Sequence, residues 1–332
     1  MRTETNGRKR TLGRSGVEAG ALGFGCWAIG GEWSTPDGSP LGWGEVDDDE
    51  SAAAIRRALD LGVTFFDTAD VYGAGHSERV LGRALAGRRD EAVVATEWGN
   101  LFDERTRTMN GADSSPGYAR EALVASLRRL GTDRVDLCQL HLGDTPLDEA
   151  AELRDACEEF VAEGLIRAYA WSTDDPERAA FFAEGEHCAA VQHACNVLED
   201  APGMLSLSEE RGLIGVIRSP LARGLLAGTR DPGRRPAAGG IRSTPPAWLS
   251  WFEAGGVPAE HRAARVEAVR EVLTADGRTL AQGALGWLWA RSGRAVPIPG
   301  FRTVAQAEEN AAALIHGPLR PGQLDEVAAL LA

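Results

Sequence analysis

"VTFFDTADVYGAGHSERVLGRALAGRRDEAVVATE", residues 63–97, carries the pattern that sets the fold. It opens on a short apolar run, "VTFFDTA" (63–69), and closes on another, "AVVATE" (92–97). Between them Ser77–Leu85 has helical period, with Ser77 as its expected cap. Two strands joined through a helix lie parallel, because only a long crossover returns the chain to the same edge. The second run raises a question: it ends on Glu97, a carboxylate at the tip of a core strand. An unpaired buried charge costs several kcal/mol, so Glu97 either looks into solvent or belongs to a site that uses it.

The same alternation runs through the chain. Further strand-like runs are "ALGFGCW" (21–27), "VDLCQLH" (135–141), "IRAYAWS" (166–172), "AVQHAC" (190–195), "LIGVIRS" (213–219) and "AVPIPG" (295–300). Helical spacing is read over Ser51–Leu61, Tyr118–Leu130, Glu149–Ala162, Pro176–Ala183, Ala263–Leu273, Leu280–Trp289 and Val304–Leu314, the last capped by Thr303. Eight strand–helix units point to an α/β fold, a single (β/α)8 TIM barrel domain over residues 1–332. An open dinucleotide-binding sheet fits poorly, since "GFGCWAIGG" lacks the GxGxxG spacing. Two connections, Gly99–Pro116 and Pro220–Glu260, are too long for turns. Both follow strands and are expected as lids on the catalytic face. Trp248 and Trp251 read equally as lid residues or as anchors for the loop.

Composition narrows the function. The net charge of −14 argues against a nucleic-acid backbone as partner. The apolar runs are too short to span a bilayer, and the N-terminus has no apolar signal segment. The five cysteines, Cys26, Cys138, Cys157, Cys188 and Cys195, form no CxxC pair and read as reduced thiols of a cytoplasmic protein. No His/Cys spacing suggests a metal. Lys9 is the sole lysine, so the folded body has none for amine chemistry.

In such a barrel, residues at strand C-termini converge on one site. Asp67, with Tyr72 five residues on, Glu97, His141, Ser172, Gln192, Arg218 with Ser219, and Gly300 with Arg302 all fall there. Singly each has a plain alternative: a structural histidine, a helix-capping aspartate, a glutamine bonded to backbone. Together an acid, a phenol and an imidazole suit proton transfer at a polarised oxygen. Trp27, Trp33 and Trp98 lie at or just past strand ends and are expected to line a substrate pocket for a small molecule. Trp171 reads as pocket or core.

The chain resembles the aldo-keto reductases along nearly its whole length. The resemblance is carried by "RTLGRSGVEAGALGFGCWAIGG" (10–31), "FFDTADVYGAGHSERVLGRAL", "SLRRLGTDRVDLCQLH", "SPLARGLLAG" and "VPIPGFRTVAQAEEN" (296–310). It implies NADPH bound across the barrel mouth and reduction of aldehydes or ketones by an Asp, Tyr, Lys and His tetrad. Asp67, Tyr72 and His141 fall at three of those places, with Tyr72 as the proton donor and His141 orienting substrate. Ser172 and Gln192 match carboxamide-binding positions. Ser219, Leu221 and Gly224 lie in the pyrophosphate loop, and Gly300, Arg302, Gln306, Glu309 and Asn310 in the region around the adenosine and its 2′-phosphate.

Two positions depart from the family. Glu97 stands where the lysine belongs, which puts two carboxylates together, raises one of their pKa values and makes Tyr72 a weaker acid. Arg218 replaces an aromatic residue that stacks on the nicotinamide. It is open to stacking, to a substrate carboxylate, or to Glu97 as counter-ion. Three functions follow: an NADPH-dependent reductase of a small carbonyl or enone with an altered proton donor, a non-redox lyase, dehydratase or isomerase, or an inactive NADPH-binding module.

Overall fold

The computed structural model describes residues 9–228, 239–246, 249 and 251–332. Eight strands form one sheet: Gly23–Gly25, Phe65–Asp67, Val93–Trp98, Leu137–Leu140, Tyr169–Ser172, Cys188–Ala194, Ile214–Arg218 and Ala295–Pro297. Neighbours pair in chain order, and every pair is parallel. The two outer strands meet where Gly25 N donates to Pro299 O at 3.1 Å and Gly25 bridges Gly300. A Cβ on Gly25 would lie 2.9 Å from Ile298 O, so only glycine lets these strands close so tightly. The result is the expected (β/α)8 barrel.

Alternation explains which residues fill it. Phe65, Val93, Ala95, Leu137, Ala168, Ala170, Ala190, Ile214, Val216 and Val296 form the interior cluster. Their strand neighbours of opposite parity, Phe66, Val94, Trp98, Cys138, Tyr169, Trp171 and Val191, pack outward against the helices. An antiparallel hairpin, Lys9–Thr11 with Glu18–Gly20, adds Leu12, Val17 and Ala19 to the interior cluster. It covers the end of the barrel where the strands begin. Continued towards the strand C-termini, the interior parity reaches Glu97, Gln139, His141, Ser172, Gln192 and Arg218. The barrel is therefore apolar below and polar at its mouth.

Each helix expected from the sequence is present, with ends shifted by a few residues. Thr303 caps Val304–His316 by accepting from Gln306 N. Ser77 does not cap its helix: His76–Leu85 follows Gly75, and Ser77 Oγ instead donates to Cys26 O at 2.9 Å. Two helices escaped the sequence reading, Pro202–Arg211 and Pro321–Leu331. Both open on Pro-Gly, which reads as a turn, although proline suits the first helical position. No described helix is long and apolar enough to cross a membrane.

The connection after the third strand folds as a hairpin, Asn100–Asp103 with Thr108–Ala112. Ser34 ties it to the first connection, accepting from Met109 N at 2.9 Å. In the later long connection Trp251 and Phe252 are buried as anchors, while Trp248 lies outside the described residues.

Candidate active site

A cavity of about 990 Å³ opens at the C-terminal mouth. Asp67, Tyr72 and His141 line it together with Trp27, Trp33 and Trp43, and its far wall is formed by Ser219, Leu221, Gly224, Gly300, Arg302 and Gln306.

Local folding sets Tyr72. After Asp67 the backbone stays bound to the third strand, Thr68 N donating to Ala95 O and Asp70 N to Glu97 O. The chain then turns over Ala69–Ala74. Gly73 has φ +61°, and a Cβ there would sit 1.9 Å from Gly30 O, so the residue after Tyr72 must be glycine. The turn delivers the phenol to Glu97: Tyr72 OH donates to Oε1 at 3.1 Å. His141 Nε2 lies 3.6 Å from Glu97 Oε2. The two rings meet edge-on at 5.9 Å. Glu97 is fully buried, which answers the question raised by its position: it faces the barrel axis behind Tyr72 and His141, not solvent.

Asp67 lies beside this group. Its Oδ1 accepts from Gln139 Nε2 at 2.7 Å and from Gln192 Nε2 at 3.0 Å. Burial first, then the Glu97 charge, push the Asp67 carboxyl well above the usual range, against the pull of the two amides. Burial, then Glu97 and Asp67, likewise raise the Tyr72 phenol, with Arg218 opposing. Neither carboxylate has a lysine near it.

Ser172 Oγ donates to Gln192 Oε1 at 3.1 Å. Asn196 Nδ2 donates to Ser219 O at 3.2 Å and braces the loop that begins there. Ser219, Ala222, Arg223 and Gly224 all have positive φ, and Ser219, Arg223 and Gly224 line the cavity while Ala222 is buried in the core. Arg218 bonds Asp174, whose other oxygen accepts from Ala194 N at 2.7 Å. It does not serve as the counter-ion of Glu97. Arg302 donates from Nη1 to Trp43 O at 3.0 Å, and Gln306 Oε1 caps Arg302 N at 2.8 Å. Glu309 and Asn310 stand behind the wall: Glu309 O accepts from Gln282, and Asn310 Nδ2 reaches Gly300 O at 3.5 Å.

The tryptophans divide. Trp27 stacks on Tyr72 with ring centroids 6.2 Å apart, and Trp33 packs with Leu41 and Val71 under the same wall. Trp98 is not in the cavity. Glu97 takes the inward position, so its neighbour must point outward, and Trp98 is 1% exposed in the helix-facing core. Trp171 is core as well. The sequence reading missed Gln139, Trp43, Asp174 and Arg223 in the site. Gln139 was legible from alternation, two residues before His141; the others come from loops. Among the described residues no cluster of three or more His, Cys, Asp or Glu side chains is arranged to hold a metal.

A parallel eight-stranded barrel with a phenol, an imidazole and buried carboxyls at its C-terminal mouth defines a class of acid–base enzyme scaffold. The aldo/keto reductase family model matches residues 21–332, and the chain belongs to that family. An uncharacterized oxidoreductase of Bacillus subtilis is 33% identical over 220 residues, 66% of each chain. The structure of a glycerol dehydrogenase from Gluconobacter oxydans superposes with a TM-score of 0.80 at 28% identity, covering 99% of this chain and 96% of that one. An aldo/keto reductase from Klebsiella pneumoniae in complex with NADP and acetate gives 0.68 at 26% identity, covering 98% and 95%.

Proposed function

We propose that this chain is a single-domain, cytoplasmic, NADPH-dependent oxidoreductase that reduces a small carbonyl or enone through an altered proton-donor site. The observation that carries the reading is the meeting of Tyr72 and His141 over one buried carboxylate on the floor of an aromatic-walled cavity. A polarised oxygen seated there meets two polar side chains at once.

The residues present fit a dinucleotide phosphate. Arg218, Arg223, Arg242 and Arg302 line the cavity of a protein whose net charge is −14, so positive charge is concentrated where phosphates would lie. Asp144, Asp174 and Asp175 share the wall and temper that field. Arg302 and Gln306 would hold the adenosine end, the loop from Ser219 to Gly224 the pyrophosphate, and Ser172 with Gln192 the carboxamide. When bound, the reduced nicotinamide supplies hydride to the carbonyl carbon. The protein orients the substrate against Trp27 and Trp33 and manages the proton at its oxygen. Free, buried thiols at all five cysteines suit a reducing compartment.

Two buried carboxyls side by side, with no lysine or arginine paired to either among the described residues, also support a second reading, non-redox acid–base catalysis on the same scaffold. The test separates the two. NADPH is titrated by quenching of tryptophan fluorescence, then turnover is followed over a panel of aldehydes, ketones and enones. Saturable binding with NADPH consumption is expected. Cofactor-independent elimination or isomerisation, or no NADPH binding, overturns the reductase reading; tight binding without any turnover leaves a binding module.

A further inference from the structure

Resting on the reductase reading and deepening it, we propose that Arg218 and Arg223 form an anion site on the Tyr72 side of the cavity, and that the carbonyl substrate carries a carboxylate that binds there. Both side chains line the cavity. Arg218 ends the strand Ile214–Arg218. Arg223 is delivered by the loop that follows. It and Ala222 are consecutive non-glycine residues with φ of +53° and +49°, a costly backbone that persists where the surrounding structure holds it for a site. The Arg223 guanidinium lies 5.8 Å from the centre of the Trp27 ring, and Trp27 in turn stacks on Tyr72. The Arg218 charge reaches both neighbours: it opposes the rise of the Tyr72 phenol and helps to depress Arg223. Two guanidiniums near enough to repel each other are relieved by an anion that bridges them.

The four cavity arginines divide into two pairs. Arg302 donates to Trp43 O, and Arg242 lies over the Trp43 ring at 4.6 Å. Arg242 also lies against the loop, where an added Cβ at Gly224 would be 2.6 Å from its Nη2. These two serve the adenosine and pyrophosphate end. Arg218 and Arg223 are the pair nearer Tyr72. Burial first, then the Arg218 charge, push Arg223 down to about 10, so it is still a cation at neutral pH. Two acids of the same wall are committed: Asp174 accepts from Arg218 and from Ala194 N, and Asp175 from Glu177 N and Arg178 N. Asp144 and Asp174 nevertheless keep negative charge on that wall, which disfavours a dianion and suits the single charge of a carboxylate. A carboxylate accepts two parallel hydrogen bonds from a guanidinium, which fixes direction as well as position. A substrate held by that end has its carbonyl oriented for reaction.

The experiment compares succinic semialdehyde with its uncharged methyl ester as substrates of the wild type, Arg223→Gln and Arg223→Lys. The wild type favours the acid in kcat/KM by at least about tenfold, chiefly through KM. Arg223→Gln lowers that acid-to-ester preference by about 10–100-fold, and Arg223→Lys, which keeps the charge without the planar fork, retains part of it. Added salt raises KM for the acid more than for the ester. Butyrate titrated by calorimetry into the wild-type NADPH complex binds saturably, and Arg223→Gln abolishes the binding; this readout needs no turnover. NADPH affinity is measured on each variant. Weaker NADPH binding with equal losses on acid and ester assigns Arg223 to the cofactor phosphates and overturns the proposal. A wild type that reduces the ester as well as the acid overturns it too and leaves the reductase reading intact. Butyrate binding without any NADPH consumption overturns the reductase reading, and with it the substrate claim, while sustaining the anion site. Absence of both overturns both.

Discussion

Glu97→Lys is the substitution that asks most of the site. In the wild type the phenol of Tyr72 is raised by burial, then by Glu97 and by Asp67. Two unit charges about 4 Å apart interact by about 4 kcal/mol at an effective dielectric of about 20. Changing the charge at position 97 from −1 to +1 thus swings the field on the phenol by roughly 8 kcal/mol and lowers its pKa. Part of that swing is absorbed by Asp67, which ionises and pairs with the new ammonium. What remains still turns Tyr72 from a poor acid into a usable one. General-acid tuning of this kind changes rates by about 10²–10⁴-fold, and a gain of about 10²-fold in kcat for aldehyde reduction is expected. The assay follows the loss of NADPH absorbance, with cofactor affinity measured in parallel. In the Glu97→Lys background, adding Tyr72→Phe removes the gain. No gain in rate, with NADPH affinity and fold preserved, refutes the electrostatic reasoning.

Two further outcomes follow from the same geometry. The folded-state pKa of Asp67 is raised, so between the unfolded value of about 3.9 and the folded one the native state binds more protons than the unfolded chain. Stability conferred by the protonated form is therefore lost as pH rises through that window. Asp67→Asn removes the slope, and urea denaturation across acid to neutral pH should find the variant gaining on the wild type as pH rises; parallel curves would count against it. Gly73→Ala forces a Cβ to within 1.9 Å of Gly30 O at φ +61°. A cost of about 1–3 kcal/mol in stability is expected from the strained backbone, with a fall in kcat as Tyr72 is displaced; thermal melts and steady-state kinetics check both.

The strand–helix alternation was enough to count the barrel, because hydrophobic period is a local property that survives without knowledge of neighbours. The same alternation places Glu97, Gln139 and His141 on the inner face, and their shared parity was legible in "AVVATE" and "VDLCQLH". Trp98 shows the cost of ignoring parity: one residue beyond Glu97 lies on the opposite face, in the core. Pro202–Arg211 and Pro321–Leu331 were hidden because Pro-Gly marks a turn and a helix start alike. Partner choice was decided only in three dimensions. Nothing local says that Arg218 takes Asp174 rather than Glu97, or that Tyr72 and His141 take the two oxygens of one carboxylate. Those pairings depend on strand stagger and on loop paths, which bring together side chains far apart in the sequence. The identity of residue 97 came from the sequence; its burial, and the two rings that cover it, came from closing the barrel.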